Sequence, residues 1–123
     1  MTDSKVSIRP EINIAAIPNK SSEEKFQNET LRPILKMQHE LIMAFFQNYL
    51  TIKKIDLSPL NEERKIEAIY TIFKNDTLLK AELRGLIIGH FTVDEFLIYQ
   101  NSKAEINKRI LAMMKERILS VII

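Results

Sequence analysis

The chain contains very few residues that interrupt a helix. Its 123 residues include two glycines and four prolines, and three of the prolines lie within the first 33 residues. Ile, Leu, Met, Lys and Glu dominate the rest, a composition typical of helical proteins. The sequence therefore predicts an all-α fold, a single-domain bundle of about five helices over residues 23–123.

Residues 1–22 differ in composition from the remainder. They carry Pro10, Pro18 and the start of the polar run NKSSEEK, which predicts a flexible or extended N-terminal tail. Three isoleucines of this tail, at positions 12, 14 and 17, offer an apolar contact to another surface.

The longest apolar pattern predicts one helix over residues 30–54, capped by Thr30 or Asn28 and with Pro33 in its first turn. Apolar side chains cover well over half of its circumference. A helix so widely apolar is either the spine of a bundle or also part of an oligomer contact. The central position is favoured because a bundle of this size needs one spine.

Cap signals predict where the later helices begin. Ser58, with Pro59 at the first helical position, predicts one start, and Asp76 predicts the next. Ser102 and Glu105 have the spacing of a capping box, so the last helix is predicted to begin after this serine and to reach the C-terminus.

The stretch RGLIIGHFTVDEF, residues 84–96, predicts a corner between two helices. Thr92 and Glu95 again have the spacing of a capping box, and Phe91 and Phe96 occupy the positions of a hydrophobic staple. A new helix is therefore predicted to start at residue 93.

Two glycines and one of the two histidines precede this cap. Gly89 is predicted to end the preceding helix in a left-handed conformation, and Gly85 to let another backbone come close. His90 is expected to pack in the core while one ring nitrogen bonds a helix-end carbonyl, with a role as ligand, acid/base group or pH sensor as the alternative. His39 is expected at the partly exposed edge of its helix.

Motifs for metal binding or covalent catalysis do not occur in the sequence. HExxH, GxSxG, GxxxxGK[ST] and GxGxxG are all missing. His39, Glu40, His90, Asp94 and Glu95 are ligand types that suit zinc, nickel or iron, but their spacing enforces no site. We therefore assign no catalytic residue, metal or cofactor, and keep a metal-dependent lyase or isomerase as an alternative.

The charges are nearly balanced, with 18 basic and 16 acidic residues, so the whole chain makes no strong field for nucleic acid. A DNA-binding helical protein is a second alternative, although the acidic pair after Val93 would face phosphate in a recognition helix. Its phosphate contacts would come from the last helix: Lys103, Lys108, Arg109, Lys115 and Arg117.

The end of the chain indicates an oligomer. Arg117 falls within the apolar arc of the last helix, and is predicted either to reach solvent or to pair with an acid at a subunit contact. The closing residues VII would leave an apolar end exposed on a monomer, which favours a homodimer.

The absence of cysteine excludes a disulfide framework and favours a reducing cytoplasm. No segment approaches the roughly 20 apolar residues of a membrane span, and the first residues lack the apolar run of a signal peptide. A cytoplasmic protein without a membrane span is therefore expected.

Three segments, FQNETLRPILKMQHELI, LKAELRGLIIGHFTVDEFLIYQ and INKRILAMMKERI, resemble a group of short helical bacterial proteins that are often labelled glyoxalase. The resemblance covers residues 26–119. The label implies the βαβββ fold of the glyoxalase superfamily and a divalent metal held by His and Glu. No residue of this sequence matches a ligand motif of that superfamily, so no catalytic residue is transferred.

Taken together, the missing catalytic motifs and the broad apolar surfaces predict a non-enzymatic protein-interaction or regulatory module. The expected partner is a second copy of the chain or another protein, bound through an apolar groove or the basic last helix.

Overall fold

A computed structural model describes residues 3–11 and 21–123. All regular secondary structure within these ranges is helical, which confirms the all-α prediction. There are more helices than the five or so predicted, because the region before residue 53 is divided. In chain order the elements are α1 (Ser4–Ser7), α2 (Ser22–Phe26), a π-helical turn (Gln27–Leu31), α3 (Arg32–Met37), α4 (His39–Ile52), α5 (Glu62–Asn75), α6 (Thr77–Ile88), α7 (Val93–Asn101) and α8 (Lys103–Ile122).

The predicted helix over residues 30–54 is wrong in its start and in its continuity. Helical structure begins at α2, where the Ser21 hydroxyl accepts a hydrogen bond from the Glu24 N–H at 3.0 Å. Pro33 has no N–H to continue the ladder, and its ring crowds the preceding turn, which accounts for the π-helical turn before it. A second interruption at Gln38 (φ −93°, ψ 6°) separates α3 from α4.

The start of α5 also differs from the prediction. Ser58 does not cap it, because its N–H and hydroxyl both donate to Asp56 Oδ1, at 3.0 and 2.7 Å. This local turn competes with helix initiation. The cap is Asn61, whose Oδ1 accepts from the Arg64 N–H at 2.9 Å. The predicted cap of α6 is confirmed, since Asp76 Oδ1 accepts from Leu79 N–H at 2.9 Å.

The last helix has the predicted extent but a different cap. The Ser102 hydroxyl makes no capping bond and instead donates to Glu23 Oε1 at 3.1 Å. α8 packs against α4, α5, α6 and α7, which places α8, rather than residues 30–54, at the centre of the bundle. Its fully buried residues are Ile106, Ile110, Met114 and Ile118.

The helix α4 ends without a glycine. Lys54 adopts a left-handed conformation with φ 57°. The Ile55 N–H then bonds the Leu50 carbonyl at 2.9 Å, and the Lys54 N–H bonds the Thr51 carbonyl at 3.1 Å. These two bonds satisfy carbonyls at the end of the helix and turn the chain toward α5.

The segment predicted as a flexible or extended tail over residues 1–22 is described in part. Residues 3–11 form the single turn α1 and contact the corner between α6 and α7. Residues 12–20, with the three isoleucines expected to form an apolar contact, lie outside the described residues, so the domain boundary stays a prediction. None of the helices in the two described ranges combines the length and apolar character that a membrane span requires.

Candidate functional site

The predicted capping box at the start of α7 is confirmed. The Thr92 hydroxyl accepts from the Glu95 N–H at 3.1 Å, and Glu95 Oε1 accepts from the Thr92 N–H at 2.9 Å. Phe91 is buried and Phe96 is 41% exposed, and both rings lie against Tyr99, at 5.6 and 6.0 Å between centroids. The aromatic side chains therefore flank a third ring that lies one helical turn further along.

Gly89 ends α6 as predicted, but the left-handed conformation predicted for it and the close backbone approach predicted at Gly85 are both wrong. Gly89 has φ −60° and ψ −16°, so α6 ends in a right-handed conformation. A Cβ atom added there would approach the Gly85 carbonyl at 3.2 Å, which is a tight contact. A Cβ atom at Gly85 would meet nothing within 4 Å, so no backbone approaches it. Both glycines are exposed.

The N-terminal segment holds this corner through two cations. Arg9 forms a bidentate ion pair with Glu95, with both N···O distances 2.7 Å, and also donates to the His90 carbonyl at 2.6 Å. Lys5 donates to the Phe91 carbonyl at 3.0 Å. The Arg9 side chain is only 5% exposed, and its Nε is buried with no hydrogen-bond partner among the described residues. These cations therefore lie near the negative end of α6, where they bond carbonyls of the connection between α6 and α7.

The Glu95 carboxylate at the centre of this network accepts hydrogen bonds from several protein donors. Burial raises the pKa of Glu95, but the hydrogen bonds from Arg9, from the Thr92 N–H and from the Thr30 hydroxyl (3.3 Å) lower it, and the net direction is downward. Thr30, predicted as a helix cap, is in fact buried and bound to this carboxylate. The Glu95 carboxylate thus accepts four hydrogen bonds from protein donors, as expected of a structural element.

His90 is held by a side chain rather than by the helix-end carbonyl predicted for it. The Gln38 amide donates to His90 Nε2 at 2.8 Å and also lies 3.5 Å from the Leu86 carbonyl. The ring nitrogen therefore acts as an acceptor. The interruption between α3 and α4 is what places Gln38 against the corner.

His39 and Arg117, two candidates from distant parts of the sequence, meet between α4 and α8. Arg117 Nη1 donates to His39 Nδ1 at 3.2 Å, and both residues are half-buried. Burial and the nearby Arg32 lower the pKa of Arg117. The pairing of Arg117 with an acid at a subunit contact stays a prediction. A cleft of about 260 Å³ beside it is lined by Arg32, Met113, Glu116, Arg117 and Ser120.

The other basic candidates of α8 occupy different surroundings. Arg109 is bound within the molecule, to Glu105 at 3.1 Å and to Gln27 at 2.8 Å. Lys108 is exposed and lines a cleft between α5, α6 and α8. The DNA-binding alternative stays a prediction.

In the described ranges, no group of three or more His, Cys, Asp or Glu side chains is arranged to hold a metal ion.

A groove between α4 and α6 was not predicted from the sequence. These helices are antiparallel, because Gln38 contacts the C-terminal end of α6 while Tyr49 Oη donates to Asp76 Oδ2 at 2.7 Å at its N-terminal end. Burial and this hydrogen bond raise the pKa of Tyr49 to about 12. The groove has a volume of about 270 Å³ and is lined by Phe45, Asn48, Tyr49, Ile52, Lys53, Asp76, Leu78, Leu79 and Glu82.

Large apolar side chains border this groove without cover. Two of its lining residues, Ile52 and Leu78, are 67% and 70% exposed. Leu41 is 46% exposed and lies on α4 one turn before the lining residue Phe45. A second uncovered apolar surface, the outer face of α7, carries Val93 at 77% and Leu97 at 52% exposure. The α4–α6 groove differs from the α7 face in being concave, which gives a partner side chain a place to enter.

No protein-family model, curated protein or solved structure matches the chain. The resemblance to proteins labelled glyoxalase therefore stays a prediction.

Proposed function

We propose that this chain is a non-enzymatic protein-interaction module that forms a homodimer through the α4–α6 groove. The observation that carries the proposal is the concave surface bordered by Ile52 and Leu78, each about two-thirds exposed. Exposed apolar side chains around a concavity mark interaction sites more often than isolated ones do.

The stripe along α4 supports a helix as the occupant. Leu41, Phe45, Asn48 and Ile52 follow one another at steps of four, three and four residues, which is the spacing of a coiled-coil seam. In an antiparallel pairing about a twofold axis, Leu41 faces the partner's Ile52 and Phe45 faces the partner's Asn48. The stripe is therefore complementary to itself, as a twofold interface requires.

The α6 wall of the groove supports the same pairing. Leu78 projects at one end of the helix, and Gly85, above which a Cβ atom would meet nothing, lies toward the other end. The twofold operation exchanges the ends, so Leu78 reaches the level of the partner's Gly85. A large side chain then enters the space that the glycine leaves open.

The experiment is sedimentation equilibrium on the wild type, L78K and L97K. The wild type is expected to dimerise, and L78K to weaken dimerisation more than about tenfold because a charge is desolvated in the groove. L97K is the matched control, since it puts the same charge on the exposed apolar face of α7. Equal weakening by L97K, or a wild type that stays monomeric at every concentration, would overturn the proposal.

A second variant tests the pairing geometry. Glu82 lies near the middle of α6 and lines the groove, so the twofold axis brings it close to the partner's Glu82. Like charges at that position oppose association. E82Q is therefore expected to strengthen dimerisation, and most clearly at low salt, whereas a weakened dimer would contradict this arrangement of the helices.

A further inference from the structure

Four lysines from three helices line one cleft between α5, α6 and α8, away from the α4–α6 groove. Lys74 comes from α5, Lys80 from α6, and Lys108 and Lys115 from α8, and the cleft between them has a volume of about 440 Å³. The remaining lining residues are Tyr70, Phe73, Leu111 and Ala112. No acidic residue is among those that line it in the described part of the chain.

None of these four lysines forms an ion pair in the part of the chain that the structure describes. Each ion pair found in residues 3–11 and 21–123 joins an arginine to a glutamate, so none of the lysines takes part. Residues 1–2 and 12–20, which lie outside the described ranges, contain no Asp or Glu. Lys80 donates to the Lys74 carbonyl at 3.4 Å, and this contact leaves its charge in place. An anion that enters the cleft therefore meets unpaired ammonium groups.

The floor of the cleft is aromatic and aliphatic. Tyr70 is 51% exposed, and Lys115 Nζ lies 4.4 Å from the centroid of its ring. An exposed ring beside cations is the arrangement on which nucleic-acid bases stack while their phosphates bind lysine.

We propose that this cleft binds a nucleotide, with the phosphates at the four lysines and the base against Tyr70. Its volume lies within the range of roughly 300–1,000 Å³ typical of small-molecule sites. A nucleotide combines the two chemistries that the lining offers, a polyanion and a flat apolar ring. The site does not depend on the proposed dimer, since it lies between α5, α6 and α8 rather than between α4 and α6.

A free nucleoside triphosphate and a nucleotide unit within a single strand share this chemistry, and titration separates them. The probes are ATP, inorganic tripolyphosphate and a short oligothymidylate, each added to the full chain in a calorimeter at low and at moderate salt. ATP is expected to bind more tightly than tripolyphosphate, with affinity that falls as salt rises. A still tighter oligothymidylate would identify a single strand as the source.

Variants make the assignment specific to the cleft. K74A and K108A are each expected to weaken ATP binding roughly tenfold, because each removes one charge-assisted contact. K103A, which removes an exposed lysine at the start of α8 outside the cleft, is expected to leave binding unchanged. Y70A is expected to weaken the binding of ATP and of the oligonucleotide but not the binding of tripolyphosphate.

Three results would overturn the proposal. ATP and oligothymidylate that both fail to bind would remove the ligand. If K103A weakened ATP binding as much as K108A does, the binding would be nonspecific attraction to a basic surface. Tripolyphosphate that binds as tightly as ATP, with no effect of Y70A, would show that the base takes no part.

Discussion

The two ends of α6 differ in whether their side chains have partners within the chain. At its C-terminal end, the corner with α7 surrounds Glu95 with Arg9, Thr30 and the Thr92 N–H, and the carbonyls of His90 and Phe91 each accept from a cation. At its N-terminal end, Leu78 borders a groove and stays 70% exposed. The paired groups at the corner stabilise the fold, whereas the uncovered apolar surface is where the proposed dimer would form.

The largest expected effect is the loss of Arg9. R9A leaves Glu95, whose side chain is 15% exposed, without its counter-charge, and such a loss costs about 3 kcal/mol of the free energy of unfolding. Urea denaturation measures it. R64A is the control, because the Arg64–Glu67 pair at 3.4 Å is exposed on both sides and is worth less than about 1 kcal/mol. Equal effects of the two variants would erase the distinction between the corner and an ordinary surface.

The pH dependence of stability tests the same corner more finely. The folded-state pKa of Glu95 lies below its ordinary value of 4.5, so the contribution of this carboxylate is present above that value and is lost as the pH falls through the folded-state pKa. E95Q lacks the contribution at every pH. The stability difference between wild type and E95Q is therefore expected to shrink from about pH 6 to about pH 3. A difference that stays constant with pH would show that the charge does not contribute.

Arg117 differs from both Arg9 and Arg64, since it is half-buried and its partner is a histidine ring nitrogen rather than a carboxylate. R117M removes a charge that burial and Arg32 both disfavour, and a methionine fills similar space. The free energy of unfolding is expected to rise by about 1 kcal/mol, which is the smallest of these effects. A loss of similar size would show that the hydrogen bond to His39 outweighs the desolvation of the guanidinium.

The sequence predicted helix caps correctly where the cap is formed by residues close together in the chain. The Thr92–Glu95 box and the Asp76 cap each involve a side chain and a backbone N–H three residues away, so both were visible without the fold. The Ser102–Glu105 pair carries the same signature but fails, because Ser102 lacks the extended conformation of a cap (φ −135°, ψ 38°) and its hydroxyl is directed to Glu23, 79 residues away. A cap signature predicts a cap only where no tertiary partner competes.

Tertiary proximity also explains what the sequence could not predict about the candidate sites. Arg9 and Glu95 are 86 residues apart, and the lysine cleft is assembled from α5, α6 and α8. Within α8 alone, Lys108 and Lys115 look like an ordinary solvated face. The groove was missed because Leu41 and Ile52 lie on a helix predicted to be the spine, whereas α8 occupies that position. The cap of α2 was visible in the sequence, because Ser21 and Glu24 stand three residues apart in NKSSEEK. It was missed because Ser21 was assigned to the predicted tail.

The central claim, an antiparallel dimer through the α4–α6 groove, has a direct test because the chain has no cysteine. In the double variant L41C/I52C, the two introduced thiols are too far apart along α4 to pair within one copy. Mild oxidation is expected to link position 41 of one copy to position 52 of the other, identified by mass spectrometry of the digested dimer. A protein that stays monomeric after oxidation, or that links 41 to 41 and 52 to 52, would contradict the account.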